Sequence, residues 1–256
     1  MPQDERAPIS AEVSPAGARA RHQEILDLMA GGEIEVKGRI PWSSNATYLV
    51  SVCGGDGTVA EAPAIYKPSR GERPLWDFPR GLWKREVAAY ELDVWLGWGI
   101  VPPTVARPDA PLGPGSLQYC IDARYEEHYF TLLEGAEHDR DLRRIAAFDI
   151  VVNNADRKAG HCLLDGEGRV WAIDNGLSFH CEPKLRTVIW DFAGEPIDSG
   201  LLASLAPLSR GQVPAPVAEL LTKSEVEALV ARAARARRSG KYPKPATDFP
   251  YPWPLI

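Results

Sequence analysis

Paired cysteines, long apolar runs and a surplus of positive charge are missing from this 256-residue chain, and each absence closes off a class of function. The four cysteines, Cys53, Cys120, Cys162 and Cys181, sit among apolar neighbours without paired spacing. That predicts reduced, mostly buried thiols in a cytoplasmic protein. No window approaches the roughly 20 apolar residues that a spanning helix needs, and the N-terminus carries Asp4 and Glu5 with no apolar stretch of a secretory leader. A net charge of −6 argues against a broad basic face, so neither nucleic acid nor integral membrane association is expected. Neither G-x-x-x-x-G-K-S/T nor a strand-linked G-x-G-x-x-G occurs, which removes sequence support for P-loop and Rossmann nucleotide binding. No internal repeat is visible. What is present, 45% hydrophobic and 25% charged residues, suffices for one large domain or two joined lobes.

The pattern along the chain predicts an α+β protein of two lobes. Residues 1–20 are rich in Pro, Ala and charge and read as a flexible tail. A short helix through Ile25, Leu26 and Met29 is expected to close at Gly31-Gly32 in a left-handed cap. Alternation then predicts strands at Glu33–Lys37, Thr47–Val52 and Ala64–Lys67, with Cys53–Gly57 as a turn. A helix over Leu82–Leu96 places Val87, Tyr90 and Val94 on its apolar face and Glu86, Glu91 and Asp93 among its polar positions, and Gly97 and Gly99 stop it. Ser116–Asp122 reads as a buried strand by which the chain leaves the sheet lobe (21–121) for a mostly helical lobe (122–256). There, helical spacing begins at Asp139, with acidic residues in the first turn. Cys162–Leu164 and Val170–Ile173 form a hairpin across Asp165-Gly166-Glu167-Gly168. Ser224–Glu227 has capping-box form, and Lys241–Ile256, alternating Pro with Tyr and Trp, is expected to lie extended on the surface.

Two short stretches carry the chemistry: Asn153-Asn154-Ala155-Asp156-Arg157-Lys158-Ala159-Gly160-His161 and Ala172-Ile173-Asp174-Asn175-Gly176. Transfer of a phosphoryl group from a triphosphate needs a cation for the inner phosphates, metal across the outer ones, and a group that orients the attacking oxygen. Lys67, at a strand end before Pro68, supplies the cation, and Glu86 on the following helix holds its ammonium. Asp156 orients the incoming hydroxyl and Asp174 holds metal. The segment Gly38–Thr47, with Ser43, Ser44 and Asn45, offers backbone N–H groups and hydroxyls to phosphate oxygens.

With its parts in this order, the chain resembles the phosphatidylinositol 3-/4-kinase superfamily, most closely the type II 4-kinase branch, and more distantly HipA-type kinases. The resemblance rests on Lys67-Pro68, Asn154-Ala155-Asp156-Arg157 and Ile173-Asp174-Asn175-Gly176-Leu177-Ser178-Phe179, with Gly99–Thr104 and Gly115–Gln118 in support, and runs from about Gly38 to Phe179. It implies a protein-kinase-like fold, ATP with Mg²⁺ or Mn²⁺, a catalytic Asp156, a metal ligand in Asp174, a nucleotide lysine in Lys67, and a hinge at Tyr119–Ile121 that, with Gln118 before it, meets adenine. The acceptor would be a hydroxyl of a protein, a small molecule or a lipid. Where the family pattern puts a metal-binding Asn five residues after the catalytic Asp, this chain has His161, a ligand better suited to Mn²⁺ or Zn²⁺ than to Mg²⁺. The lipid kinases' cysteine cluster is absent too.

Each residue also has a plainer reading. Asp156 alone caps a turn, Asp174-Asn175-Gly176 alone is a turn, Lys67 and Glu86 alone are solvated, and Ser43, Ser44 and Asn45 alone make a hairpin loop. Tyr119 and Ile121 suit a core in any fold, as do Trp83, Trp95 and Trp171. Arg232, Arg235, Arg237 and Arg238 read as a solvated helix end. Two rival functions follow: a pseudokinase slowed by His161, and a zinc protein using His161-Cys162 with His180-Cys181.

Overall fold

Charge along the first strand and apolar residues along the next two set the order of the sheet. The computed structural model describes residues 15–41, 43–54, 59–246 and 248–256, with backbone alone at 15–19. Helix α1 (Pro15–Gly31) precedes an antiparallel sheet of β1 (Glu33–Arg39), β2 (Tyr48–Cys53), β3 (Glu61–Pro68), β4 (Thr104–Arg107) and β5 (Gly115–Tyr119), in the order β1-β2-β3-β5-β4. Glu33, Glu35 and Lys37 leave β1 almost wholly exposed, as suits an edge that must not pair with another chain. Its register with β2 shifts between Val36 and Gly38. Ile25, Leu28 and Met29 of α1 pack on Val50, Val52, Ala64, Tyr66 and Leu117 to form the smaller core.

Helix α2 (Leu82–Leu96) lies between β3 and β4 in sequence and ends at Gly97 (φ 70°). The helical lobe follows: α3 (Tyr129–Glu134), α4 (Asp139–Val152), the hairpin β6 (Cys162–Leu164) and β7 (Val170–Ala172), then α5 (Ser199–Ser204), α6 (Ala215–Leu220) and α7 (Lys223–Ser239). The larger core joins Leu142, Ile145 and Phe148 of α4 to Leu229 and Ala233 of α7. Ala88, Ala89, Leu92 and Leu96 of α2 belong to this larger core, not to that of the sheet. The hairpin turn is locked by Asp165, whose Oδ1 accepts from Glu167 and Arg169 N (2.9 Å each) and whose Oδ2 accepts from Trp171 Nε1 at 2.8 Å.

Several expectations are corrected. The first helix begins by Pro15, inside the expected tail 1–20, whose earlier residues lie outside those described. Gly31 and Gly32 do not adopt left-handed φ. Gly32 is instead needed for close approach: a Cβ there would meet Leu28 O, Val52 Cγ1 and Cys53 O at 2.7–2.8 Å. Residues 55–57 of the turn expected at Cys53–Gly57 lie outside those described. In α2 Val87 and Tyr90 are buried as expected, but Val94 is 53% exposed and Glu86 and Asp93, read as polar positions, are buried. Packed on two sides, the helix buries its carboxylates and satisfies them. Asp93 Oδ2 accepts from Ile100 N (3.0 Å) and Val101 N (3.1 Å), and burial pushes its carboxyl up to about 6. Strand β4 was not anticipated, because Pro102 and Pro103 before it mask the signal. The α7 capping box is Thr222 with Glu225, two residues earlier than read. Cysteines are not mostly buried: Cys162 is, Cys53 and Cys120 are half-buried, and Cys181 is exposed, all four free. Trp83 is half-buried and Trp95 is 37% exposed, so only Trp171 of the three is core. Arg232 is no solvated helix end; it donates to Val151 O (2.8 Å) and His180 O (3.1 Å). The described residues of 241–256 form no helix, and Phe249 and Trp253 are 81% and 87% exposed. Among the described residues, no helix is long and apolar enough to cross a membrane.

Candidate active site

Three side chains far apart in sequence meet where the two lobes join. Lys67, near the end of β3, ion-pairs with Glu86 of α2, and its Nζ lies 2.9 Å from Asp174 Oδ1 just beyond β7. Glu86 also accepts from the Asn175 amide at 2.9 Å, so a single carboxylate holds both the ammonium and the loop that carries Asp174. Gly176 fits this arrangement because a Cβ there would come within 3.1 Å of Glu86 Oε1. Asp174 itself takes a left-handed φ of 56°, a conformation that costs a non-glycine residue roughly 1–2 kcal/mol and needs its surroundings to hold it.

Electrostatics follow from the grouping. Burial pulls the Lys67 ammonium down, but Asp174 and Glu86 more than offset it and leave it raised. Burial pushes the Asp174 carboxyl up, yet Lys67 and His161 together hold it well below the usual carboxylate range. Glu86 is raised by burial against the pull of Lys67. Asp156 is pushed up to about 6, chiefly by burial, with Lys158 opposing and the charge of Asp174 adding to the rise. Its Oδ2 lies 3.4 Å from Lys158 Nζ.

The loop bearing Asp156 is pinned from below. Helix α4 ends at Asn153, whose left-handed φ of 58° turns the chain, and whose side chain binds His180 O, Glu182 O and Lys184 N at 2.7–3.0 Å. Asn154 Oδ1 accepts from Asp156 N at 2.9 Å. Arg157 is wholly buried against Asp149, also wholly buried, at 3.0 Å. Its guanidinium continues to Ile173 O and to Asn175 Oδ1 at 2.7 Å. One fork thus joins the loop of Asp156 to the loop of Asp174. Sequence reasoning quoted Asn153, Arg157 and Asn175 as motif letters and assigned them no work, and it gave Asp149 no role beyond helix spacing. Their signal is a charged or amide residue at each junction of an otherwise apolar helix or strand, visible only once burial is known.

His161 stands beside Asp174, with Nε2 3.4 Å from Asp174 Oδ2. Burial, together with nearby Arg157, Lys158 and Lys67, pushes its ring down to about 4 against the pull of Asp174, so it is neutral at pH 7. The Lys158 amide lies 3.3 Å from Nδ1, which makes Nδ1 the acceptor and leaves the proton on Nε2, directed at Asp174. In that tautomer the Nε2 proton, not a lone pair, faces Asp174. Among the described residues no three His, Cys, Asp or Glu side chains gather to hold a metal. This gives the zinc reading no support; His180 stacks edge-on against Phe78, centroids 5.0 Å apart.

The remaining expected residues are distributed less favourably. Ser43 Oγ is 2.8 Å from Thr47 Oγ1, and Asn45 Oδ1 accepts from Arg73 N at 2.9 Å, so both side chains brace their own loop. Ser44 is exposed. Gln118 is buried and donates to Thr104 Oγ1 at 3.0 Å. Tyr119 packs against the sheet core and Ile121 is buried.

No protein-family model matches the chain. Protein Rv2133c of Mycobacterium tuberculosis (strain ATCC 25618 / H37Rv) is 38% identical over 267 residues, covering 90% of this chain and 94% of that protein. Among solved structures, hydra Fam20, determined with sugar, superposes with a TM-score of 0.59 at 15% identity, over 86% of this chain and 88% of that one. The Helicobacter pylori proinflammatory kinase CtkA gives a TM-score of 0.48 at 13% identity, over 84% and 94%. The five-stranded antiparallel sheet with its helical partner is a protein-kinase-like fold.

Proposed function

We propose that this chain, which belongs to the same family as Protein Rv2133c of Mycobacterium tuberculosis, is an ATP-dependent phosphotransferase acting on a hydroxyl. The observation that carries the reading is Lys67 held between Glu86 and Asp174, a cation on a sheet strand facing a carboxylate on the loop that follows a hairpin, with Asp156 on the adjoining loop. The motif order shared with the phosphatidylinositol 3-/4-kinases supports the same reading at the level of sequence. The acceptor is a protein side chain, a small polar molecule or a lipid.

In this reading Lys67 neutralises the inner phosphates, and Glu86 keeps its ammonium from turning away. Asp174 would hold Mg²⁺ or Mn²⁺, which supplies charge neutralisation across the outer phosphates. Asp156 accepts a hydrogen bond from the acceptor hydroxyl and sets its oxygen in line with the γ-phosphorus. The acceptor O–P bond forms as the bond from the γ-phosphorus to the bridging oxygen breaks; ADP leaves, and the hydroxyl proton passes to Asp156 or to water. Positioning and charge do the work, with no covalent intermediate. We place the reaction in the cytoplasm.

A second reading, a nucleotide-binding pseudokinase, is favoured by His161 standing where the resemblance puts a metal-binding Asn. A panel of ATP and GTP, each with Mg²⁺ and with Mn²⁺, measured for binding and for turnover, separates the two. Metal-dependent ATP consumption by the wild type and not by Asp156→Ala supports the enzyme. Binding without turnover supports the pseudokinase, and no binding removes both.

A further inference from the structure

Glu86 and the residue before it point to different partners. Successive residues on a helix project about 100° apart, and while Glu86 meets Lys67, Arg85 turns to the helical lobe and ion-pairs with Glu225 in the first turn of α7, the two side chains 5% and 6% exposed. Glu225 is already fixed when it receives Arg85. Its Oε2 accepts from Thr222 N at 2.8 Å and from Thr222 Oγ1 at 2.9 Å, the capping box of α7. The apolar side of α2 repeats the message, with Ala88, Ala89, Leu92 and Leu96 in the core of the helical lobe. Ahead of the helix, Asp77 pairs with Lys184 at 3.2 Å and Phe78 clusters with Leu82 and Ala155.

In kinase-like phosphoryl transfer, the position of this helix decides whether the lysine–glutamate pair forms. We infer that Arg85 and Glu225 are positioning residues for the Lys67–Glu86 pair: they fasten α2 to the helical lobe, so that Glu86 stays at the cleft without nucleotide. This inference rests on the phosphotransferase reading for its functional half and on packing alone for its mechanical half.

The test uses the full-length chain with Glu225→Gln, Arg85→Met, and the reversed pair Arg85→Glu with Glu225→Arg. Hydrogen exchange without nucleotide is expected to speed up about tenfold in residues 82–96 of Glu225→Gln, with β1–β3 unchanged. Affinity for a fluorescent ATP analogue with Mg²⁺ is expected to fall about tenfold, and to be partly restored in the reversed pair. In a Lys67→Met background the Glu225→Gln loss should shrink to less than twofold, because the pair it serves is gone; a merely structural role would leave the loss unchanged. Unaltered exchange in 82–96, or an equal affinity loss with and without Lys67, overturns the inference. Failure of the wild-type chain to bind nucleotide overturns the proposed function instead, and α2 exchange then decides the anchoring by itself. Should Arg85→Met not fold, the near-isosteric Glu225→Gln carries the same comparison.

Discussion

Two parts of the molecule are held in different ways: the paired loops of Asp156 and Asp174, and the segment Ser43–Thr47. The loop of Asp156 and that of Asp174 are tied together by the buried fork of Arg157 with Asp149, Ile173 O and Asn175. The covering loop around Ser43–Thr47 is held by Ser43 to Thr47, by Asn45 to the Arg73 amide, and by Ala46 N to Gly71 O at 3.0 Å, and Ser44 stays exposed. A buried ionic network resists displacement because any broken member leaves an uncompensated charge. A surface loop braced by neutral hydrogen bonds yields at about 1 kcal/mol per bond. The carboxylates of Asp156 and Asp174 are therefore held more firmly than the segment Ser43–Thr47.

The largest effect should come from breaking the buried tie. Arg157→Met strands the Asp149 carboxylate and should cost about 3–5 kcal/mol, read as a fall in the denaturation midpoint with unchanged slope. A change near zero would mean that the network does not hold the loops.

Asp156→Asn comes next. Loss of a positioned acid–base group is expected to slow turnover about 10²–10⁴-fold. Stability should move the other way. The folded carboxyl sits near 6 against an ordinary 3.8, so the unfolded chain ionises first and the ionised Asp156 costs stability at neutral pH. Asn removes that cost. The variant should exceed the wild type in stability above about pH 6, the gain fading as the pH falls toward 4. Wild-type turnover should fall as the pH drops through 6, where Asp156 takes up its proton.

Gly176→Ala should have a smaller effect, since its Cβ would press on Glu86 Oε1 at 3.1 Å. A rise of several-fold in the KM for ATP, with stability lowered by about 1 kcal/mol, would show that Glu86 is displaced; unchanged kinetics would show that the carboxylate yields freely. The smallest stability effect is expected for Asn45→Ala, within about 1 kcal/mol, measured by thermal unfolding, with KM for ATP altered and kcat nearly kept. An Asn45→Ala effect on stability as large as that of Arg157→Met would erase the contrast between the two parts.

Helix α2, the hairpin β6–β7 and α4 were legible because each depends on local signals: apolar spacing, a Gly stop, and an Asp-Gly turn. Lys67, Glu86 and Asp174 were legible as a motif order, and the fold brings the three together. Less was readable for Gln118, Tyr119, Ser43 and Asn45. The amides of Gln118 and Asn45 bond partners 14 and 28 residues away, and no pattern within a strand or loop announces which partner a polar group will find. Burial hid the rest. Nothing local shows that Asp93 and Glu86 face inward or that Val94 faces out, because those outcomes depend on α2 being packed between two lobes.

By itself the sequence determined the alternation of strands and helices and the loops that carry Asp156 and Asp174, since turn chemistry and apolar period act over a few residues. Only the tertiary structure decided which of the charged residues would be buried together. The pairs Arg157–Asp149 and Arg85–Glu225 are chosen by desolvation, which penalises every unpaired charge in the interior and so depends on the whole packed chain.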